Sequence, residues 1–242
     1  MNPRIMKYVN RVRRIQGCLF PKSYGDNQVE IDRSLLGKVR LNIVGHGNRV
    51  HLSRISCNPH TYIYIQIFGN ENSVSLDQVY IGNELKLIIG QDHPNFGSIV
   101  ESSFTVGGGS SIESMRYIAF NSHTFCEIGK NCMISSDITL WNTDAHPILE
   151  PDSGKVLNWV KEIKIGDHCW LGEKSSVLKN SVIPDDCIIG YNAVVSGRLP
   201  KAHAAYAGNP AKLIKTGITW DSNGAKHGYI ENRGAHERRE EL

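Results

Sequence analysis

From Ile165 the chain reads in steps of six: IGDHCW, LGEKSS, VLKNSV, IPDDCI, IGYNAV, VSGRLP. The first positions (Ile165, Leu171, Val177, Ile183, Ile189, Val195) are all aliphatic. The fifth positions (Cys169, Ser175, Ser181, Cys187, Ala193) are small, until Leu199 ends the series. A period of six is neither the 3.6 of an amphipathic helix nor the 2 of a half-buried strand. The register returns upstream, with Ile128, Ile134 and Leu140 as aliphatic positions, and with Cys132 and Ile138 in the place of the small ones. Further back it weakens. Ile81 and Leu87 are still six apart, but residues 39–77 alternate like strands, as in HTYIYIQIFG. From Leu140 to Ile165 is twenty-five steps, not a multiple of six, so the chain leaves the repeat there and comes back.

One aliphatic and one small residue in every six resembles the hexapeptide repeat of left-handed parallel β-helices, where three six-residue sides make one triangular coil. The aliphatic side chain points into the prism and the small one fits near the corner. The pattern predicts an all-β solenoid over 39–216, irregular over 39–120, with an extended loop at 142–162. Residues 1–38 are expected to form a helical capping segment, because solenoid ends need atypical caps. Residues 217–242 read as a tail, densely mixed in charge at ENRGAHERREEL. Cys169 and Cys187, eighteen apart, are expected to stack on successive coils as buried, inert packing residues.

Composition narrows the function classes. The net charge of +3 is too mild to argue for nucleic acid, and no basic-aromatic recognition motif accompanies it. It suits an anionic cofactor or acceptor. No window approaches the ~18 apolar residues of a membrane-spanning helix. Six cysteines occur without a CxxC, and the charged N-terminus lacks a signal-peptide pattern; both point to a reducing, cytoplasmic setting. The segment MNPRIMKYVNRVRRIQG carries Ile5, Val9, Val12 and Ile15 on one side of a basic helix. It reads first as a solvated or packing helix, and second as a weak contact with an anionic membrane surface.

The break holds WNTDAHPILEP, a polar, prolyl stretch of the kind that places chemistry on a rigid scaffold. NTDAHP, followed by IKIGDHCWLG, IPDDCIIGYNAVVSG and YAGNPAKLIK, resembles the hexapeptide-repeat acetyltransferases, most of all their capsule and polysialic acid O-acetyltransferase branch. The resemblance is specific over 126–216, vague over 39–120 and absent over the first thirty residues. It implies transfer from acetyl-CoA to a carbohydrate hydroxyl within a homotrimer, with no metal. By the same resemblance His146 and Trp170 are the catalytic pair. His146 takes the acceptor proton and returns it to the leaving thiolate. An imidazole suits this step because it ordinarily titrates near ~6.5. Trp170 lines the cleft against the pantetheine arm and acetyl group. Tyr191, Ser196, Lys212 and Lys215 match positions that contact CoA, while Gly208, Asn209 and Pro210 shape the exit from the last coil. Asp144 and Asn142 are candidate orienting groups, although Asp144 equally suits a turn cap.

Three other readings compete with it. A zinc-dependent carbonic anhydrase also uses this fold, but His123, His146 and His168 are about a coil apart, without the close pair that the metal needs. A non-catalytic solenoid binding module has no reason to keep the long loop, His146 and Trp170 together. An O-acetyltransferase of a small acceptor, such as a simple sugar or an antibiotic, stays open. Trp141, Trp159 and Tyr117 are candidates to stack on sugar rings, and the basic balance suits an acidic glycan.

Overall fold

The computed structural model describes residues 25–93, 97–227 and 229–230. The expected N-terminal helix, with Ile5, Val9, Val12 and Ile15, lies outside these residues, as does the last stretch of the tail.

The chain winds as a left-handed parallel β-helix with three flat faces. The first face stacks seven strands: Gln28–Ile31, Arg49–Ser53, Ser73–Asp77, Ser103–Val106, Phe125–Ile128, Glu162–Ile165 and Ser181–Ile183. The second takes in Ser56–Cys57, Met133–Ile134, Trp170–Leu171, Cys187–Ile189 and Ala204–Ala207. The third takes in Val39–Val44, Tyr62–Asn70, Ile138–Trp141, Ser176–Leu178 and Val194–Val195. Tyr80–Ile89 and Ser111–Ala119 each turn the corner between the second and third faces. The solenoid is therefore already in place at Gln28, and the expected boundary at residue 39 falls inside it. The 3-10 turn Arg33–Leu35 follows within that first coil.

The six repeat aliphatics are at most 1% exposed. Eighteen-residue coils put them directly over one another: Ile165 pairs with Ile183, Leu171 with Ile189, and Val177 with Val195. The corners follow the same count. His168, Lys174, Asn180, Asp186 and Asn192, six apart, all have φ between +53° and +61°. Each directly precedes a small residue of the series. A side chain at positive φ turns the chain sharply, at a steric cost that asparagine and aspartate bear best.

Cys132, Cys169 and Cys187 stack at one corner, each thiol donating to a carbonyl of the following coil: Gly166, Pro184 and Lys201. All described cysteines are free. Burial pushes the Cys187 thiol up to about 11, so it stays protonated and packs as a small apolar group. The upstream coils carry an asparagine ladder at another corner, where the chain enters the first face. Asn27 Oδ1 accepts the Asn48 N–H, Asn48 Oδ1 that of Asn72, and Asn72 Oδ1 that of Ser102. These side chains are buried and satisfied by one another.

Candidate functional site

The loop leaves at the corner between the third and first faces, after Trp141, and returns at Glu162. Its base is pinned by Thr143, which is buried. The Thr143 hydroxyl donates to Asn121 Oδ1 at 2.8 Å and accepts the Ala145 N–H at 2.9 Å. The His146 N–H then closes a three-residue turn onto the Asp144 carbonyl at 2.7 Å, with Ala145 at φ +63°. A non-glycine residue in that turn is strained, and the strain presents His146 at the surface.

Asn158 fastens the return. Its Nδ2 donates to Asp144 Oδ2 at 2.7 Å and to the His146 carbonyl at 2.9 Å, and its Oδ1 accepts the Ile148 N–H. Lys179 pairs with Asp144 at 3.0 Å and reaches the Asn158 carbonyl at 3.3 Å. These contacts of Asp144 are those of a residue that holds the loop to the coil. Asn142 points the other way. Buried inside the prism, it donates to Tyr117 Oη and the Phe125 carbonyl, both at 3.3 Å, so it is part of the core rather than an orienting group at the surface. Tyr117 is also buried, 4.9 Å from the Phe104 ring, and cannot stack on a sugar. Trp159, 73% exposed, and Trp141, half-buried beneath the Arg116 guanidinium, keep faces that can.

Trp170 lies at another corner. A groove of about 580 Å³ follows the second face and its junction with the third, walled by Met133, Trp170, Ile188 and Tyr191, with Ser135, Glu113 and Glu173 as polar groups. Trp170 Nε1 donates to Ser135 Oγ at 3.2 Å, which fixes the indole plane. Met133, Trp170, Ile188, Ala205 and Lys215 occupy one register column across five neighbouring strands. At ~4.8 Å per strand, Lys215 lies ~14 Å along the face from Trp170. Lys212 and Lys215 are exposed on the closing strand Lys212–Thr216. The turn before it holds Gly208 at φ +95° and a cis Asn209–Pro210 peptide. Ser196 is exposed at the end of the third-face strand Val194–Val195 and does not line the groove. His146 does not line it either; the whole third face separates the loop corner from the groove corner. His123 Nδ1 lies 3.1 Å from a Glu101 carboxylate oxygen and His168 Nδ1 2.8 Å from one of Asp186.

Three contributors escaped the sequence reading. Lys174 Nζ stands over the Tyr191 ring at 5.7 Å, a cation at the rim of the groove. Glu113 enters the groove, held by Asn83 at 2.6 Å. The third is a strap. Residues 218–220, expected to be a free tail, lie back across the second face. Thr219 Oγ1 donates to Asp186 Oδ1 at 2.7 Å and Trp220 Nε1 to the His168 carbonyl at 2.8 Å. The Trp220 ring stacks on His168 at 4.4 Å and stands 6.2 Å from Trp170. His168 and His203 flank the Asp186 carboxylate at 2.8 and 3.2 Å.

Burial works against the Asp186 carboxylate, but the Thr219 hydroxyl and the His168 ring hold its pKa below the usual range. A carboxylate depressed in this way stabilises the fold above its ordinary pKa of ~3.9, and that contribution fades as pH falls through the lower, folded value. Tryptophan fluorescence should therefore report release of Trp220 below about pH 4. In Asp186→Asn the strap should already be loosened at pH 7. An unchanged profile in that variant would show that the carboxylate does not hold the strap.

The family described as bacterial transferase hexapeptide (six repeats) matches residues 162–197. A polysialic acid O-acetyltransferase of Escherichia coli O1:K1 / APEC is 42% identical over 93 residues, covering 38% of this chain and 30% of that protein. The chain thus spans under a third of that relative's length. A polysialic acid O-acetyltransferase of Neisseria meningitidis is 28% identical over 200 residues, covering 73% of this chain and 86% of that one. Among solved structures, the polySia specific acetyltransferase NeuO superposes with a TM-score of 0.56 at 26% identity, over 85% of this chain and 99% of that one. Residues 162–197 thus carry the bacterial transferase hexapeptide repeat, and the chain is similar in repeat and fold to the polysialic acid O-acetyltransferases.

Proposed function

We propose that the chain transfers an acetyl group from acetyl-CoA to a hydroxyl of a cell-surface, capsular polysaccharide built of acidic sugars. The reading rests on one observation above all. A single scaffold presents His146 on a strained, clamped turn and, at another corner, an apolar groove whose register column runs from Met133 and Trp170 to Lys215. The acetyl group and pantetheine arm suit the Trp170 end, and the phosphates suit the lysines. His146 accepts the acceptor's proton as its oxygen attacks the thioester carbon. The C–O bond forms, the C–S bond breaks, and the proton passes to the departing thiolate. No covalent enzyme intermediate is required. The names of the relatives support the acceptor class.

Because the third face divides the loop from the groove within one chain, we also propose that the site is closed by a neighbouring subunit in a homotrimer. Cyclic closure sets the loop corner of one copy against the groove corner of the next. Purified protein mixed with acetyl-CoA and polysialic acid should release CoA thiol and yield O-acetylated polymer. Release only with simple sugars would move the acceptor to the small-molecule class. Release with no acceptor of either kind would overturn the transferase reading.

A further inference from the structure

The outer surface of the third face carries a row that the proposed chemistry does not use. Arg40 pairs in register with Tyr64, Tyr64 with Lys86, Lys86 with Arg116, and Arg116 with Thr139. All lie on the outward side of their strands, half-buried or exposed, so they form a line parallel to the solenoid axis. Neighbouring strands are ~4.8 Å apart, so Arg40 and Arg116 stand ~14 Å apart with two side chains between them. Lys86 Nζ sits 6.0 Å from the Tyr64 ring centroid and the Arg116 guanidinium 5.9 Å from that of Trp141.

Cations set in register on adjacent strands repel one another. Such pairs are normally relieved by carboxylates, as Lys164 is by Glu127 on the first face. Here they are not. Among the described residues, Arg40, Lys86 and Arg116 form no ion pair; the carboxylates on the strands of this face are Glu84 and, at the groove corner, Glu113, which bonds to Asn83. Three unrelieved cations with interleaved aromatic rings offer what a chain of acidic sugars needs: charge for its carboxylates and flat faces for its rings. The direction of the row matters too. It descends to Arg116 and Trp141, and Trp141 is the last residue before the segment that carries His146.

We propose that this row is a track that binds a linear polysaccharide with carboxylate-bearing sugars and leads it toward the loop. The inference rests on the acidic-glycan reading above and adds the surface that holds the acceptor. The test compares wild type with a triple variant, Arg40→Gln, Lys86→Gln and Arg116→Gln. Its substitutions are on the outer face and leave the core intact, which circular dichroism and gel filtration check. The probes are long-chain polysialic acid and a short sialic acid oligomer that cannot span the row. The triple variant should show at least a ten-fold higher KM for the polymer. Its kcat, its KM for acetyl-CoA and its activity on the oligomer should stay unchanged. Wild-type turnover on the polymer at sub-saturating concentration should fall with salt, and that dependence should flatten in the variant. In the two-site variant Arg40→Gln/Lys86→Gln, adding Arg116→Lys should keep the polymer KM below that of the triple variant. Wild-type KM and salt dependence in the triple variant would overturn the track while leaving the proposed acceptor class standing. If wild type held immobilised polysialic acid but transferred nothing to it, and the triple variant lost that binding, the acceptor reading would fall and the track would stand.

Discussion

His146→Ala should lower the proposed acetyl transfer about a hundred-fold or more, a loss of at least ~2.7 kcal/mol of transition-state stabilisation. The size follows from what is removed. A positioned general base ordinarily supplies about a hundred- to ten-thousand-fold. The bonds that Thr143, Asp144 and Asn158 make across the turn reach residue 146 through its backbone, so the substitution leaves them in place. Acetyl-CoA binding should change little, since interactions made equally in ground and transition states lie in the groove. Trp170→Ala should do the reverse, raising the KM for acetyl-CoA before it lowers kcat. The measurement is steady-state kinetics on both variants with gel filtration alongside. Near-wild-type turnover by a folded His146→Ala protein would remove the base assignment and leave the loop as an acceptor-binding flap.

Some of this was legible in the sequence, for a reason visible in the coils. From Ile163 to Val195 each turn has the eighteen residues that three six-residue sides require, so one large aliphatic per side is enough to reveal the prism. The corner residues are less legible. Asn180, Asp186 and Asn192 announce a positive φ, but His168 and Lys174 occupy equivalent corner positions without doing so. The first coils hide altogether. On the first face Gln28 pairs with Arg49, Arg49 with Ser73, Ser73 with Ser103 and Ser103 with Phe125, at intervals of twenty-one to thirty residues. Extra residues at the corners destroy the period, and the order is kept by Asn27, Asn48 and Asn72, whose contacts are between coils.

Misreadings in the candidate site have similar causes. A register shift between Ile112 and Ser114, where the strand turns a corner, reverses which side of the sheet each later residue faces, and so Tyr117 enters the core. The motif around His146 could be recognised because it is contiguous. Asn158, Lys179 and the Asp186–Thr219 clasp could not, because each joins segments that only the winding of the solenoid brings together.

Two variants, each impaired at low acetyl-CoA, should restore each other. If the site forms between subunits, His146 of one copy serves the groove containing Trp170 of the next. Co-expressing His146→Ala and Trp170→Ala under different affinity tags, and purifying through both, isolates trimers that contain both variants. In a ring of three with both present, there is one junction where an intact loop meets an intact groove, whichever variant is in the majority. At acetyl-CoA concentrations well below the raised KM of Trp170→Ala, such trimers should recover roughly a third of wild-type activity, although each parent homotrimer turns over little there. The gain is large against that background and needs no new contact, only the directional order of a closed ring. Tandem purification that yielded no mixed species would refute the oligomer. Mixed trimers as inactive as their parents would show instead that His146 and Trp170 serve the same copy, with the loop folding back over its own third face.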